Sequence, residues 1–274
     1  MQNYVVGEGT KSYTLATFFI LAFGFSWVIE IPLALEARGV IAAPIPFSFH
    51  YLAAFGPLLA ALIVTWLHAG DAGVRELLGR MFKWRVHVGW WLVAAGPLWI
   101  FLLLIAIQIF GMGARPDLRD LGQLDFLPHQ GTGALLWWIV TFGLGEETGW
   151  RGFALPNLQN GRSALRATII LWFFWALWHL PLFFYQYDTV ALPGFLISLL
   201  AGAITLTWLY NSSRGSILLA AIWHGTFNYV TACVNCKYGL SPMVMSIAVM
   251  ILAVVIVVLY RPATLSAHEK QIGG

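Results

Sequence analysis

Apolar stretches long enough to cross a lipid bilayer recur along almost the whole chain. A hydrocarbon core about 30 Å thick requires roughly 20 helical residues. Such stretches lie near residues 13–37, 50–69, 88–112, 133–155, 166–187, 192–211, 215–236 and 241–260. The segments between them carry the glycine, proline and charged residues that end helices. The sequence therefore predicts an all-α, polytopic integral membrane protein with about eight transmembrane helices, forming one membrane-embedded domain over residues 1–274.

Charge is too scarce for a water-soluble domain. Asp, Glu, Lys and Arg make up 10% of the residues, whereas they make up about 25% of an average soluble domain. The basic residues lie singly rather than in runs, which argues against nucleic-acid binding. Their excess in alternate loops follows the positive-inside rule if both termini are cytoplasmic. We therefore predict a multi-pass protein of the cell membrane with both termini in the cytoplasm.

Three ionisable residues lie deep inside three different predicted helices. Each such residue costs at least about 2.5–3.5 kcal/mol at the centre of a bilayer, so each needs a reason. With a rise of about 1.5 Å per residue, Glu146 and His224 each lie roughly 14 Å from the cytoplasmic end of their helix, and His179 roughly 20 Å. These depths place all three in one layer. We therefore predict a shared polar cavity in the cytoplasmic half of the bundle.

Helical spacing assigns different roles to the two adjacent glutamates. Glu147 and Arg151 are four residues apart, which permits an ion pair on one helix face and indicates a structural role. Glu146 points about 100° away from Glu147 on a regular α-helix, and it has no local counter-charge. It is therefore the candidate general base. Asn228 follows His224 by four residues, so both side chains could converge on a developing oxyanion.

Small residues and a proline surround these groups. Four glycines flank the acidic pair and predict close helix packing, which would also let a substrate backbone approach the carboxylates. They are Gly143, Gly145, Gly149 and Gly152. Pro181, two residues after His179, predicts a kink that opens a polar pocket.

The polar residues form three motifs in chain order, placed in successive predicted helices. The motifs are Glu146-Glu147-x-x-x-Arg151, the mid-helix His179, and His224-x-x-x-Asn228. This arrangement resembles the CPBP family of intramembrane endopeptidases, which includes the type II CAAX prenyl proteases and bacterial proteins linked to bacteriocin processing and self-immunity. The resemblance covers roughly residues 130–235, which would hold the catalytic core motifs.

The resemblance implies a role for each motif residue. Glu146 would activate the attacking water with help from His179. His224 and Asn228 would stabilise the tetrahedral oxyanion, while the Glu147 and Arg151 pair would support the site. One position departs from the family pattern, whose second motif usually reads Phe-x-x-x-His. Trp175 stands four residues before His179, so the aromatic packing is kept while the shape of the substrate groove differs.

The predicted function is hydrolysis of a peptide bond in a membrane-anchored or amphipathic substrate by an intramembrane endopeptidase of the glutamate type. A CAAX-type prenylated substrate follows from the resemblance alone. The expected partners are this membrane-associated peptide or protein and the lipid bilayer. Two alternatives stay open. One is a non-catalytic membrane protein for bacteriocin immunity or scaffolding, and the other is a small transporter.

The cofactor is left open between none and zinc. Two histidines, a glutamate and a water form a known catalytic zinc set, for which the ligands would be Glu146, His179 and His224. No H-E-x-x-H motif is present, and these ligands would come from three helices. We therefore favour a carboxylate mechanism without metal, with zinc as the competing interpretation.

Glu30 and the two cysteines each allow more than one interpretation. Glu30 lies in the first predicted helix, either as an auxiliary acid facing the cavity or as an interfacial carboxylate that reaches the outer headgroups, and the interfacial position is favoured. Cys233 and Cys236 form a C-x-x-C pair. Two small packing residues are favoured over a redox pair or a disulfide, and a pair alone cannot complete a four-ligand zinc site.

Overall fold

The computed structural model describes residues 8–42, 45–113, 133–231 and 240–273. All regular secondary structure in these ranges is helical, which confirms the predicted all-α class. The α-helices are α1 (Glu8–Ala37), α2 (His50–Ala53), α3 (Gly56–Met81), α4 (Val88–Ala94), α5 (Gly96–Ala106), α6 (Gly133–Trp138), α7 (Glu147–Gly149), α8 (Leu155–Gln159), α9 (Ala164–Trp178), α10 (Leu192–Ser212), α11 (Ile217–Thr231) and α12 (Leu240–Thr264). Short 3₁₀ and π segments connect several of them.

Five helical segments in the described residues are long and apolar enough to cross a membrane. They are Thr14–Ala37, Phe47–Met81, Ala164–Phe184, Thr189–Ser212 and Met243–Thr264. A sixth span arises if Val88–Ala94 and Gly96–Gly111, bent by 58°, are taken together. The predicted stretch 133–155 is helical throughout, and the stretch 215–236 is helical from Ile217 to Thr231, but neither is both long and apolar enough by the same measure. The count of eight therefore stays a prediction.

The helical run that carries the acidic pair is not a regular α-helix. Residues 133–159 form one continuous run in which π segments at Ile139–Glu146 and Trp150–Ala154 flank α7. A π segment widens the turn, and such segments occur frequently at functional sites. The regular 100° spacing assumed above for Glu146 is therefore wrong at this point. The two π segments separate α6, α7 and α8 while keeping the run unbroken.

Glycines hold this central run tightly between α3 and α11. A Cβ on Gly143 would lie 2.5 Å from the carbonyl oxygen of Ala221 on α11. A Cβ on Gly149 would lie 2.5 Å from the carbonyl oxygen of Pro57 on α3. Real Cβ atoms do not approach backbone this closely, so only glycine permits these contacts. The predicted close helix packing is confirmed.

The C-terminal residues form hydrogen bonds with the end of the central helical run, residues 133–159. Gln159, the last residue of α8, exchanges side-chain hydrogen bonds with Asn211 of α10 at 3.2 and 2.8 Å. Gln159 Nε2 also donates to the carbonyl oxygen of Gln271 at 2.6 Å, and the amide of Gly273 donates to the carbonyl of Pro156 at 3.1 Å. Buried amide side chains satisfied in this way fix the relative position of three segments.

Candidate active site

The Glu147 carboxylate is shared by two cationic or potentially cationic partners. Its Oε1 lies 2.9 Å from Nη1 of Arg151 and 2.8 Å from Nδ1 of His224. Glu147 and Arg151 are both 0% exposed. The predicted ion pair is confirmed, and the bond to His224 adds a link between α7 and α11 that helical spacing did not reveal. We refer to these three residues as the Glu147 cluster.

Glu146 lies in a different environment from its neighbour. It is 1% exposed, and its Oε2 accepts a hydrogen bond from Nε1 of Trp175 at 2.7 Å. Among the described residues this is its one hydrogen bond. The carboxylate therefore has spare acceptor capacity in a buried place, as a base that must take a proton requires.

His179 ends α9 rather than lying within a continuous helix. It caps α9, and a 3₁₀ segment from Leu180 to Phe184 follows, with Pro181 in its first turn. The α-helix therefore changes to a 3₁₀ helix at His179, and the kink predicted from Pro181 stays a prediction. Nδ1 of His179 lies 2.7 Å from the carbonyl oxygen of Trp175. Because a carbonyl only accepts, Nδ1 carries a proton, and a neutral ring then keeps the Nε2 lone pair free.

Trp175 lies between the groups that the motifs singled out. Besides bonding to Glu146, its ring lies 5.5 Å from that of His179 and 5.6 Å from that of His224, measured between centroids. The guanidinium carbon of Arg151 lies 4.3 Å from the ring centroid. Sequence reasoning noted Trp175 only as a departure from the family pattern. That departure was the signal that could have marked it as a site residue.

The structure brings the predicted residues together, and the exposed fraction differs from one side chain to the next. Glu146, His179 and His224 come from three different helical segments and meet around Trp175, as the shared-layer prediction required. His179 and His224 keep 9% and 7% of their surface exposed, whereas Glu147 and Arg151 keep none. Asn228 lies one turn after His224 on α11 and is half-buried. The accessible side of the site is therefore the histidine side.

The interfacial interpretation of Glu30 is wrong. Glu30 on α1 is 0% exposed, and within the described chain neither carboxylate oxygen has a hydrogen-bond partner. The carboxyl group of Glu30 lies within the range of electrostatic interaction of the Glu146 carboxyl group and of the Tyr185 hydroxyl. Tyr185 in turn bonds to Nδ1 of buried His50 at 2.8 Å. Glu30 thus faces the interior near the candidate site, which is the alternative that the sequence left open.

The geometry of the described residues does not provide a set of ligands for a metal ion. Over the described ranges, no group of three or more His, Cys, Asp or Glu side chains is arranged to hold a metal ion. Glu146, His179 and His224 meet around an indole ring and do not form such a set. Cys233 and Cys236 lie outside the described residues, so their predicted packing role stays a prediction.

Comparison with known proteins identifies the segment that contains all three motifs. Residues 128–230 match the family model of the type II CAAX prenyl endopeptidases, Rce1-like. This segment is similar to that family, and we call it the Rce1-like segment. The Rce1-like segment covers every candidate residue from Glu146 to Asn228, so the resemblance inferred from the motifs is confirmed there.

A curated relative matches over a similar length. The chain is 36% identical over 113 residues to "CAAX prenyl protease 2" of Methanococcus maripaludis, which is 38% of this chain and 40% of the relative. The match therefore spans less than half of either protein. The similarity to a protease family thus lies in one segment of a chain that has several long apolar helices.

Proposed function

We propose that the protein is an intramembrane endopeptidase in which Glu146 activates water. The observation that carries the proposal is the meeting of Glu146, His179 and His224 around Trp175 in the interior of an apolar bundle. Buried polar groups are costly in such a bundle, and groups with perturbed surroundings cluster at functional sites. The Glu147 cluster would supply rigid support for these groups.

The first chemical step moves one proton and forms one bond. A water held between Glu146 and Nε2 of His179 gives a proton to the Glu146 carboxylate, and its oxygen attacks the carbonyl carbon of the scissile peptide. The carbonyl oxygen becomes an oxyanion, which His224 and Asn228 stabilise by hydrogen bonding. The proton on Glu146 then passes to the leaving nitrogen as the carbon–nitrogen bond breaks.

The contacts of His224 restrict how it can stabilise an oxyanion. Nδ1 of His224 faces Glu147 Oε1, a carboxylate oxygen that only accepts, so Nδ1 carries a proton. A neutral ring in this tautomer has no proton on Nε2. His224 therefore donates from Nε2 only as an imidazolium, which the adjacent Glu147 carboxylate would stabilise. This gives Glu147 a specific part in the reaction, beyond its pairing with Arg151.

The proposed substrate is a membrane-anchored or amphipathic peptide or protein. Hydrolysis inside an apolar bundle favours a substrate that already resides in or on the bilayer. The proposal of a prenylated CAAX-type substrate rests only on the similarity to the Rce1-like family and to the relative from Methanococcus maripaludis. We further propose that the multi-pass protein resides in the cell membrane with both termini cytoplasmic, which the distribution of basic residues supports.

Comparative peptidomics of membranes tests the proposal. Membranes containing the native protein are compared with membranes containing Glu146→Gln or the control Glu36→Gln, which makes the same change at an exposed residue of α1. We expect cleavage products that appear with the native protein and with Glu36→Gln but not with Glu146→Gln. Identical peptide sets in all three samples would reject a protease and favour the immunity, scaffold or transporter alternatives.

The metal question needs its own measurement. We propose that no zinc is required, because the described residues form no ligand group for it. Protein purified with and without chelator should show the same cleavage rate and less than stoichiometric zinc by elemental analysis. Stoichiometric zinc whose removal abolishes cleavage would contradict the metal-free mechanism.

A further inference from the structure

The position where the chain departs from the family pattern lies in direct contact with the candidate base. The indole N–H of Trp175 donates to Oε2 of Glu146 at 2.7 Å. The phenylalanine that the pattern places here has no hydrogen-bond donor. The departure therefore adds a bond to the Glu146 carboxylate, and it does so at a buried position where such a bond is not weakened by water.

The Trp175 ring is itself held on several sides. The Arg151 guanidinium lies over its face with 4.3 Å from the guanidinium carbon to the ring centroid, a favourable cation–π arrangement. The backbone carbonyl of Trp175 accepts from Nδ1 of His179 at 2.7 Å. Its side chain is 3% exposed. These contacts hold the indole N–H in one position. From that position it can hold the carboxylate of Glu146 in one orientation.

We infer that Trp175 is a positioning residue that holds Oε2 of Glu146, so that Oε1 is the oxygen offered to the attacking water. The inference rests on the proposed function and deepens it. Among the described residues Glu146 has no second hydrogen bond to fix its rotamer. Without the indole donor, the carboxylate can rotate away from the water that it must deprotonate, because no other described residue forms a hydrogen bond with it.

The chain offers a matched control one turn further along the same helix. Trp178 is also buried, at 2% exposure, but its Nε1 has no hydrogen-bond partner in the described part of the chain. Replacing either tryptophan by phenylalanine removes one N–H and keeps an aromatic ring. The family pattern places phenylalanine at position 175, so the Trp175→Phe variant should fold.

Steady-state kinetics on the full-length protein in liposomes separates the two tryptophans. We expect Trp175→Phe to lower kcat by about tenfold or more while KM changes by less than about twofold, because the donor acts on the base and not on the substrate. Trp178→Phe should leave both constants within about twofold of the wild type. Equal kcat values for the two variants would overturn the inference.

Nuclear magnetic resonance of the indole groups tests the bond without any substrate. In ¹⁵N-tryptophan-labelled protein, Glu146→Leu removes the acceptor and should shift the indole N–H resonance of Trp175 but not that of Trp178. An unchanged Trp175 resonance would overturn the inference even if kinetics could not be measured. If the wild type cleaves no peptide, the proposed endopeptidase function fails, and this resonance still decides whether Trp175 holds Glu146.

Discussion

Glu147 shares one oxygen between Arg151 and His224, whereas its neighbour Glu146 accepts, among the described residues, from Trp175 alone. Both carboxylates are buried, and both lie where two π segments flank α7. Glu147 and Arg151 are fully enclosed, and the guanidinium of Arg151 balances the charge of the carboxylate. In the described part of the chain no such cation bonds to the carboxylate of Glu146, and His179, which also contacts Trp175, keeps 9% of its surface exposed.

This difference shows how one short motif can supply both a scaffold and a reactive group. A carboxylate that is paired with a buried guanidinium is held firmly and is a poor proton acceptor. A carboxylate with a single neutral donor keeps acceptor capacity for water. The two environments lie on adjacent residues because the helical run places successive side chains on different sides.

Breaking the ion pair should produce the largest effect on stability. Arg151→Met leaves the Glu147 carboxylate buried without its guanidinium, and we expect a loss of about 3–5 kcal/mol in the free energy of unfolding. Glu146→Gln should change stability by less than about 1 kcal/mol, because the amide oxygen still accepts from Trp175. Denaturant unfolding in detergent measures both. Equal losses for the two variants would remove the distinction between scaffold and reactive group.

Replacing a closely packed glycine should produce the second-largest loss of stability. Gly149→Ala would place a Cβ 2.5 Å from the Pro57 carbonyl oxygen, and we expect a loss of about 1–3 kcal/mol from overpacking. Gly202→Ala on α10 is the control, because a Cβ there meets no atom within 4 Å. Alanine should be neutral or slightly stabilising at position 202. If thermal unfolding shows the same change at both positions, the helices around the acidic pair are not packed as described.

Removing the Glu30 carboxylate should have the smallest effect on the free energy of unfolding. Unlike Arg151→Met and Gly149→Ala, it should increase this free energy. Its carboxylate oxygens lack partners among the described residues, so Glu30→Leu should raise stability by about 1 kcal/mol by removing an unsatisfied buried group. Glu30→Gln keeps a polar group and should give no gain. A lower melting temperature for Glu30→Leu than for the wild type would show that Glu30 has a bonding partner in the folded protein.

Local sequence patterns predicted the helices and one side-chain contact. Apolar stretches anticipated α1, α9, α10 and α12, and the four-residue spacing anticipated the Glu147 and Arg151 pair, because both depend on neighbours along one helix. The proximity of Glu146, His179 and His224 followed from their similar depths, a property that helical rise supplies without knowledge of packing.

Contacts between distant helices could not be predicted in the same way. The Trp175 to Glu146 bond joins residues 29 positions apart, and the Glu147 to His224 bond joins residues 77 apart. Such bonds depend on how whole helices rotate against each other. The π segments and the burial of Glu30 also depend on tertiary packing, which is why regular helical spacing and an interfacial position were the wrong expectations there.

The rate of peptide cleavage by Glu146→Gln, measured beside its melting temperature, tests the central claim most directly. Both are determined on the same protein reconstituted in liposomes, with a membrane peptide substrate found by peptidomics. We predict that cleavage falls by about a thousandfold or more while the melting temperature stays within about 2 °C of the wild type. Cleavage at the wild-type rate by folded Glu146→Gln would contradict the account.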